Sequence, residues 1–179
     1  MKNLLILILL IFVSCSDVNS NSSAQETTST TSLQSKLEDE CKKWNEGTNE
    51  ILDEINYQLE SFFSAVGRGD LTSSWFKEFR QEDKVSNAIT LQKEINNEYG
   101  EVMMGRQKLN VSTALKLYAE AFDHWEQGIL EDNLEVFNSG TYDYKQAERF
   151  LDDYKIVYES STGKEVIFYE FSQYCLISK

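Results

Sequence analysis

Proline is absent from the 179 residues of this sequence, and histidine occurs only once. Because proline disrupts helix interiors more than any other residue, its absence is compatible with long uninterrupted helices. The single histidine excludes the di-iron type of helical bundle, which needs two Glu-x-x-His pairs. His124 and Glu120 are four residues apart and could share a metal ion, but we interpret His124 as a surface residue beside carboxylates. The sequence therefore predicts neither a metal nor a cofactor.

Motifs of nucleophilic catalysis are missing as well. The sequence has no Gly-x-Ser-x-Gly elbow, no phosphate-binding glycine loop, and no cysteine–histidine pair with a plausible third member. Acidic residues do occur in adjacent pairs, but neighbours on a helix point about 100° apart and do not face one cleft. These pairs are Asp39 with Glu40, Glu82 with Asp83, Glu131 with Asp132, and Asp152 with Asp153. We therefore predict that the protein is not an enzyme.

Basic residues are scarce relative to acidic ones. Seventeen lysines and arginines stand against thirty aspartates and glutamates, which gives a net charge of -13. A surface of this sign repels phosphate backbones, so the sequence predicts no nucleic-acid partner.

The one long apolar run, residues 4–13, follows a short positive start at Lys2 and ends at Ser14 and Cys15. Its length of about ten residues falls within the range of a signal-peptide core. It is well short of the roughly 20 residues that span a bilayer. We therefore predict a signal peptide over residues 1–14.

The segment Phe12-Val13-Ser14-Cys15 resembles the lipobox of bacterial lipoproteins. The resemblance implies that Cys15 is lipidated, becomes the N-terminus after cleavage, and anchors the protein on the extracytoplasmic side of a cell-envelope membrane. Two or three acyl chains anchor stably, because each buried methylene contributes about 0.8 kcal/mol. The alternatives are an ordinary secretory signal that leaves Cys15 on a soluble protein, and an uncleaved anchor.

Residues 16–32 are almost entirely small polar or acidic, with Val18 and Ala24 as the only apolar ones. Such a stretch cannot bury enough surface to offset the entropy of ordering. We therefore predict a disordered tether over residues 15–32, which spans roughly 20–25 Å on average. Residues 33–179 are long enough for a single domain with its own core.

Apolar residues at steps of three and four predict four helices in this domain. The first runs from Leu37 to Val66 and is ended by Gly67-Arg68-Gly69, with Asp70 placed to cap the next helix. The second covers residues 75–99, with a break or bend expected within residues 80–84, and residues 100–105 form a connection.

The third predicted helix begins after Asn110 or Ser112 and continues toward Val136 until Asn138-Ser139-Gly140 stops it. A capping box of Asp143 and Gln146 begins the fourth, whose apolar stripe ends at Tyr158. Residues 165–177 fit either a strand or a helical face. We favour a short fifth helix, because no other run alternates like a strand. The predicted fold is thus an all-α bundle of four long amphipathic helices with a short C-terminal helix or strand.

Two features remain as candidate sites. Cys41 and Cys175 are the two cysteines of the predicted domain, and in an oxidising compartment we expect such a pair to form a disulfide. The alternative is two buried thiols. Tyrosines crowd the C-terminal third, and aromatic residues with polar tips favour interfaces. The candidate binding aromatics are Tyr142, Tyr144, Tyr154 and Tyr158, the alternative being that most of the aromatic residues line the bundle core or cover its ends.

These observations together predict a non-enzymatic, membrane-tethered helical module that binds a protein or peptide partner in the bacterial cell envelope. The alternatives are a carrier for a small apolar ligand held between the helices, and a structural envelope protein. An enclosed apolar pocket would favour the carrier.

Overall fold

The computed structural model describes residues 23–81, 84–159, 163 and 165–176. Within these residues the chain forms an all-α bundle of five helices with a small two-stranded hairpin near the C-terminus. The elements are α1 (Ser23–Arg68), α2 (Ser73–Gln81), α3 (Lys84–Tyr99), α4 (Gly105–Leu130), α5 (Leu134–Leu151), β1 (Lys155–Glu159) and β2 (Glu165–Tyr169). The predicted all-α bundle class is confirmed.

The first helix is longer than the sequence predicts. α1 contains 46 residues and extends for about 69 Å. It begins at Ser23, so the predicted disordered tether is wrong for residues 23–32, while Cys15 and the rest of the tether lie outside the described residues. Neither glycine nor proline occurs between positions 23 and 46. Because a helix already formed extends at little cost, the polar stretch continues it.

The end of α1 agrees with the prediction, but the cap of the next helix does not. α1 ends at Arg68, and Gly69 follows with a φ of 70°, a conformation that glycine adopts readily. Thr72 rather than Asp70 caps α2, because the Thr72 hydroxyl accepts the Trp75 N–H at 3.2 Å. Asp70 instead pairs with Arg68. The break expected in the second segment falls between α2 and α3, at residues 82–83, which lie outside the described residues.

The turn between α4 and α5 lies earlier than the sequence predicts. α4 ends at Leu130, Asp132 takes a φ of 51°, and Asn133 caps α5 by accepting the N–H groups of Glu135 and Val136. The predicted stop at residues 138–140 is therefore wrong, and so is the predicted capping box that begins at residue 143. Both stretches lie inside α5.

Gly140, which we interpreted as a helix end, instead permits close packing of two helices, and Gly128 does the same. A Cβ atom on Gly140 would lie 2.7 Å from the Ala121 carbonyl oxygen, and one on Gly128 would lie 2.5 Å from the Phe137 backbone nitrogen. α4 and α5 can approach this closely only where a side chain is missing.

The C-terminal region is a hairpin rather than a fifth helix, so the helix that we favoured is wrong and the alternative strand is confirmed. β1 and β2 pair in antiparallel register, with Lys155 opposite Tyr169 and Val157 opposite Ile167. The partner strand β1 was hidden in the stretch assigned to the fourth helix, because Tyr154 and Tyr158 also fit a helical spacing. α5 ends at Leu151.

Aromatic side chains fill the centre of the bundle. Phe62 of α1 stacks on Trp125 of α4 with ring centroids 4.4 Å apart, and Phe122 meets Phe62 edge to face. α3 runs antiparallel to α1, since Asn96 near the end of α3 accepts a hydrogen bond from Trp44, while Lys84 at its start pairs with Glu54. Such ring pairs add to the burial that stabilises the bundle.

We expect Gly128→Ala to destabilise the protein by about 1–3 kcal/mol, because its new methyl group overlaps the Phe137 backbone. The matched control is Gly67→Ala, where a Cβ atom meets nothing within 4 Å and alanine should stabilise the helix by up to about 1 kcal/mol. Urea denaturation of both variants measures the difference. Equal stabilities would contradict the close approach of α4 and α5.

Candidate functional site

Two asparagines on α1 take the place of a neighbouring strand for β2. The Asn49 Nδ2 group donates to the Tyr169 carbonyl oxygen at 2.7 Å, and the Tyr169 N–H donates to Asn49 Oδ1 at 2.8 Å. One turn earlier, Asn45 Oδ1 accepts the Phe171 N–H at 2.9 Å. Both asparagines are buried. The helix therefore binds the backbone of the C-terminal segment, defined here as residues 165–176.

A disulfide attaches the same segment to the same face of α1. The structure joins Cys41 to Cys175, with Cα atoms 6.1 Å apart, a separation that a disulfide spans without backbone movement. Cys41, Asn45 and Asn49 follow one another at steps of four, so they share one helix face. The bond closes a loop of 134 residues, which contributes about 5 kcal/mol in the loop-entropy model.

The first groove lies between α1 and the C-terminal segment and has a volume of about 680 Å³. Its α1 wall presents Glu38, Lys42 and Glu46 at successive turns, and its opposite wall presents Phe168 and Ser172. Lys42 pairs with Glu46 at 3.7 Å, with both side chains more than half exposed. The groove is open to solvent and combines one aromatic ring with charged groups of both signs.

The second groove lies on the other side of the hairpin, between α1 and α5, and has a volume of about 350 Å³. Its polar centre is Glu148, which accepts a hydrogen bond from the Tyr118 hydroxyl at 2.5 Å and one from Lys155 Nζ at 3.0 Å. Phe63 and Ile167 supply apolar surface beside it. Both carboxylate oxygens of Glu148 are thus bonded to groups of the bundle and hairpin.

The tyrosines around Glu148 are held in their neutral form. Burial raises the pKa of the Tyr118 hydroxyl, and the adjacent Glu148 carboxylate raises it further. The same two causes raise the pKa of Tyr144 and of Tyr169. These phenols therefore stay protonated at neutral pH and can donate hydrogen bonds.

The predicted aromatic residues do not form one surface. Tyr142 is exposed on α5, whereas Tyr144 packs on Phe63 and Trp125 in the bundle. Tyr154 is buried, and its hydroxyl accepts a hydrogen bond from Asn110 at 2.9 Å.

Tyr158 lies in β1, with its side chain outside the described part of the molecule. The structure brings Tyr144 to the second groove and leaves Tyr142 and Tyr154 apart from it.

Other groups considered in the sequence are also separate. His124 Nδ1 lies 2.7 Å from Asp143 Oδ2, which joins α4 to α5 near the surface. Glu82 and Asp83 lie outside the described residues. In the part of the chain that the structure describes, no group of three or more histidine, cysteine or acidic side chains is arranged to hold a metal ion.

Four residues that hold the hairpin against α1 and α5 were not predicted from the sequence: Asn45, Asn49, Glu148 and Lys155. The two asparagines could have been recognised, since they are amides four residues apart beside the apolar stripe of α1. No sequence pattern indicated the pairing of Lys155 with Glu148, because this pairing depends on where the hairpin crosses α5.

Comparisons with known proteins found nothing similar to this chain: no family model, no curated protein and no solved structure matches it. Among the helices that the structure describes, none has both the length and the apolar character needed to cross a membrane.

We expect Asn49→Ala to cost about 2–6 kcal/mol, because it leaves two buried backbone groups of Tyr169 without partners at about 1–3 kcal/mol each. The matched control is Asn97→Ala at an exposed position of α3. Urea denaturation gives the free-energy difference, and hydrogen exchange at the Tyr169 amide should accelerate only in the first variant. An unchanged exchange rate would show that Asn49 does not hold β2.

We expect Asp53→Asn to stabilise the protein at neutral pH. Partial desolvation of this surface side chain, followed by the Glu50 charge, raises the pKa of Asp53, so the ionised form is less favourable in the folded state than in the unfolded state. Stability therefore falls as the pH rises through the folded pKa, and asparagine removes this loss. The gain should disappear below the ordinary aspartate pKa of about 3.9.

Thermal unfolding between pH 3 and pH 7 measures the effect of Asp53→Asn. The control is Glu94→Gln, which removes one negative charge from an exposed position of α3. A gain of equal size in both variants would assign the effect to net charge rather than to the surroundings of Asp53.

Proposed function

We propose that this protein is a lipid-anchored lipoprotein of the bacterial cell envelope, and that its helical domain binds a protein or peptide partner through the two grooves beside the hairpin. The partner class follows from the first groove, which is elongated along α1 and open to solvent. An extended peptide fits such a groove better than a compact small molecule, which is normally enclosed.

The anchor part of the proposal is supported by the leader and by Cys15. An apolar run of about ten residues that ends at Ser14-Cys15 is too short to span a bilayer and of the right length for a signal peptide. Cys41 and Cys175 are joined in the structure, so Cys15 is the one cysteine of the sequence outside this bond. An oxidising envelope compartment suits that bond.

The binding part of the proposal is supported by the composition of the first groove. Glu38 and Glu46 place two carboxylates on either side of Lys42, and Phe168 provides an apolar contact opposite them. This pattern favours a partner segment with basic residues around a central apolar side chain.

The packed centre of the bundle favours a binding module over a carrier of small apolar ligands. Phe62, Phe122 and Trp125 fill the space between α1 and α4 with rings in direct contact. Each groove described above opens on the surface, and neither forms a chamber between helices.

The anchor is tested by labelling cells with radioactive palmitate and fractionating them. We expect wild type to incorporate label at Cys15 and to fractionate with membranes, whereas Cys15→Ser should incorporate none and accumulate as precursor. Unlabelled wild-type protein in the cytosol would overturn the anchor.

The binding grooves are tested separately by cross-linking in intact cells. Glu38→Lys combined with Glu46→Lys reverses the charge of the first groove, and we expect at least a tenfold loss of the cross-linked partner. The matched control is Glu94→Lys on an exposed position of α3. Equal cross-linking in all three proteins would overturn the assignment of the first groove.

A further inference from the structure

The two edges of the hairpin differ in how their backbone groups are satisfied. In an antiparallel pair, alternate residues direct their N–H and C=O groups toward the partner strand and away from it. The Glu170 N–H donates to the Tyr154 carbonyl oxygen at 2.8 Å. In the observed register, the backbone groups of Ile156 and Tyr158 therefore also point toward β2. On β2, the outward-facing groups of Tyr169 are bound by Asn49.

The outer edge of β1 has no such cover. By the same alternation, the backbone groups that point away from β2 belong to Lys155, Val157 and Glu159. The Lys155 N–H donates to the Asp152 carbonyl oxygen and is therefore occupied. Among the described residues, no backbone partner is present for the remaining outward groups of β1. An open edge of this kind is a template for pairing with another strand.

The side chains along this edge are apolar and accessible. Ile156 is 46% exposed and Val157 is 51% exposed, although both are β-branched residues that stabilise sheets when a neighbouring strand covers them. Protein edges are commonly protected by charge, proline or a bulge within the strand. The centre of β1 has none of these.

The order of residues in β1 makes the edge complementary to itself. The strand reads Lys155-Ile-Val-Tyr-Glu159, with a basic residue first and an acidic residue last. In an antiparallel pair centred on Val157, residue 155 of one copy faces residue 159 of the other. Lys155 Nζ lies 3.0 Å from Glu148 of its own copy, so a facing Glu159 joins a pair that is already formed. Opposite charges directly across a sheet are stabilising, whereas like charges are not. The locally neutral pairing suits a chain of net charge -13 that otherwise repels its own copies.

The hydrogen-bond geometry permits the same centre. Val157 directs both its N–H and its C=O outward, so two copies can exchange a reciprocal pair of bonds at this residue. The Glu159 N–H of each copy then faces the Lys155 carbonyl of the other. Four backbone bonds therefore form across a two-fold axis, as a symmetric dimer interface requires.

We propose that two copies of this protein associate through their β1 strands, which join the two hairpins into a continuous four-stranded antiparallel sheet with Val157 at its centre. Among the described residues, none from β1 lines the first groove, so the dimer leaves that groove free, adds to the proposed function and does not depend on the lipid anchor. An interface of one short strand per copy is small, and attachment of both copies to one surface would raise their effective concentration.

The experiment places a cysteine at the centre of symmetry in the full chain. Val157→Cys puts two thiols opposite each other in the dimer, at a Cα separation of about 5.5 Å that a disulfide can span. After mild oxidation, we expect at least tenfold more covalent dimer than with Leu134→Cys. Leu134 is 72% exposed and lies at the turn between α4 and α5, far from the hairpin in the chain.

A second variant tests the backbone pairing without a thiol. Val157→Pro removes the outward N–H and leaves the residues that bond β2 unchanged. The hairpin should therefore persist, and light scattering should detect only the monomer. Val157→Lys should act similarly by placing like charges opposite each other. Formation of the bond between Cys41 and Cys175 reports that each variant is folded.

The outcomes separate this inference from the anchor. The dimer would be overturned by a monomeric wild type, or by equal cross-linking of the cysteine variants at positions 157 and 134. This holds even if another protein were found on the β1 edge. A covalent dimer of wild type itself would reveal a free thiol at Cys15. That result contradicts the lipid anchor, and the excess dimer in Val157→Cys would still report on β1.

Discussion

The reciprocal hydrogen bonds between the Asn49 side chain and the Tyr169 backbone determine how the C-terminal region joins the bundle. A strand whose outer edge is buried must find partners for its peptide groups, because each unpaired group costs about 1–3 kcal/mol. A helix normally cannot supply them, since its own peptide groups are already paired. Asparagine solves this problem, because its amide offers one donor and one acceptor in the geometry of a peptide. Asn45 and Cys41 extend the same attachment along α1.

The bundle could be predicted from the sequence because its information is local and periodic. The stripe from Leu37 to Val66 is present in α1, and the stop at Gly69 needs only one residue of positive φ. The α4–α5 turn was misplaced because Gly140 has two interpretations that local pattern cannot separate. It can end a helix, or it can admit a neighbouring backbone, as the contact with Ala121 requires here.

The candidate site was less predictable, since it is made by contacts between residues that are distant in the chain. Asn49 and Tyr169 are separated by 120 residues, and Tyr118 and Glu148 by 30. Neither pair forms a motif that could be read from spacing. The hairpin itself escaped because Tyr154 and Tyr158 satisfy the helical period, so the β-branched residues between them were assigned to the wrong element.

The position of the hairpin along α1 connects the architecture to the proposed role. Twenty-two residues separate Ser23 from Asn45, a rise of about 33 Å along the helix. The first groove begins at Gln34, about 17 Å along α1 from Ser23, so this stretch of helix would separate the proposed anchor at Cys15 from the groove. Asn49 binds the outward groups of β2 at Tyr169, whereas no described backbone group pairs with the outer edge of β1 at Val157, so the proposed second copy joins through β1. In that dimer each β1 strand pairs on both sides and presents no further edge.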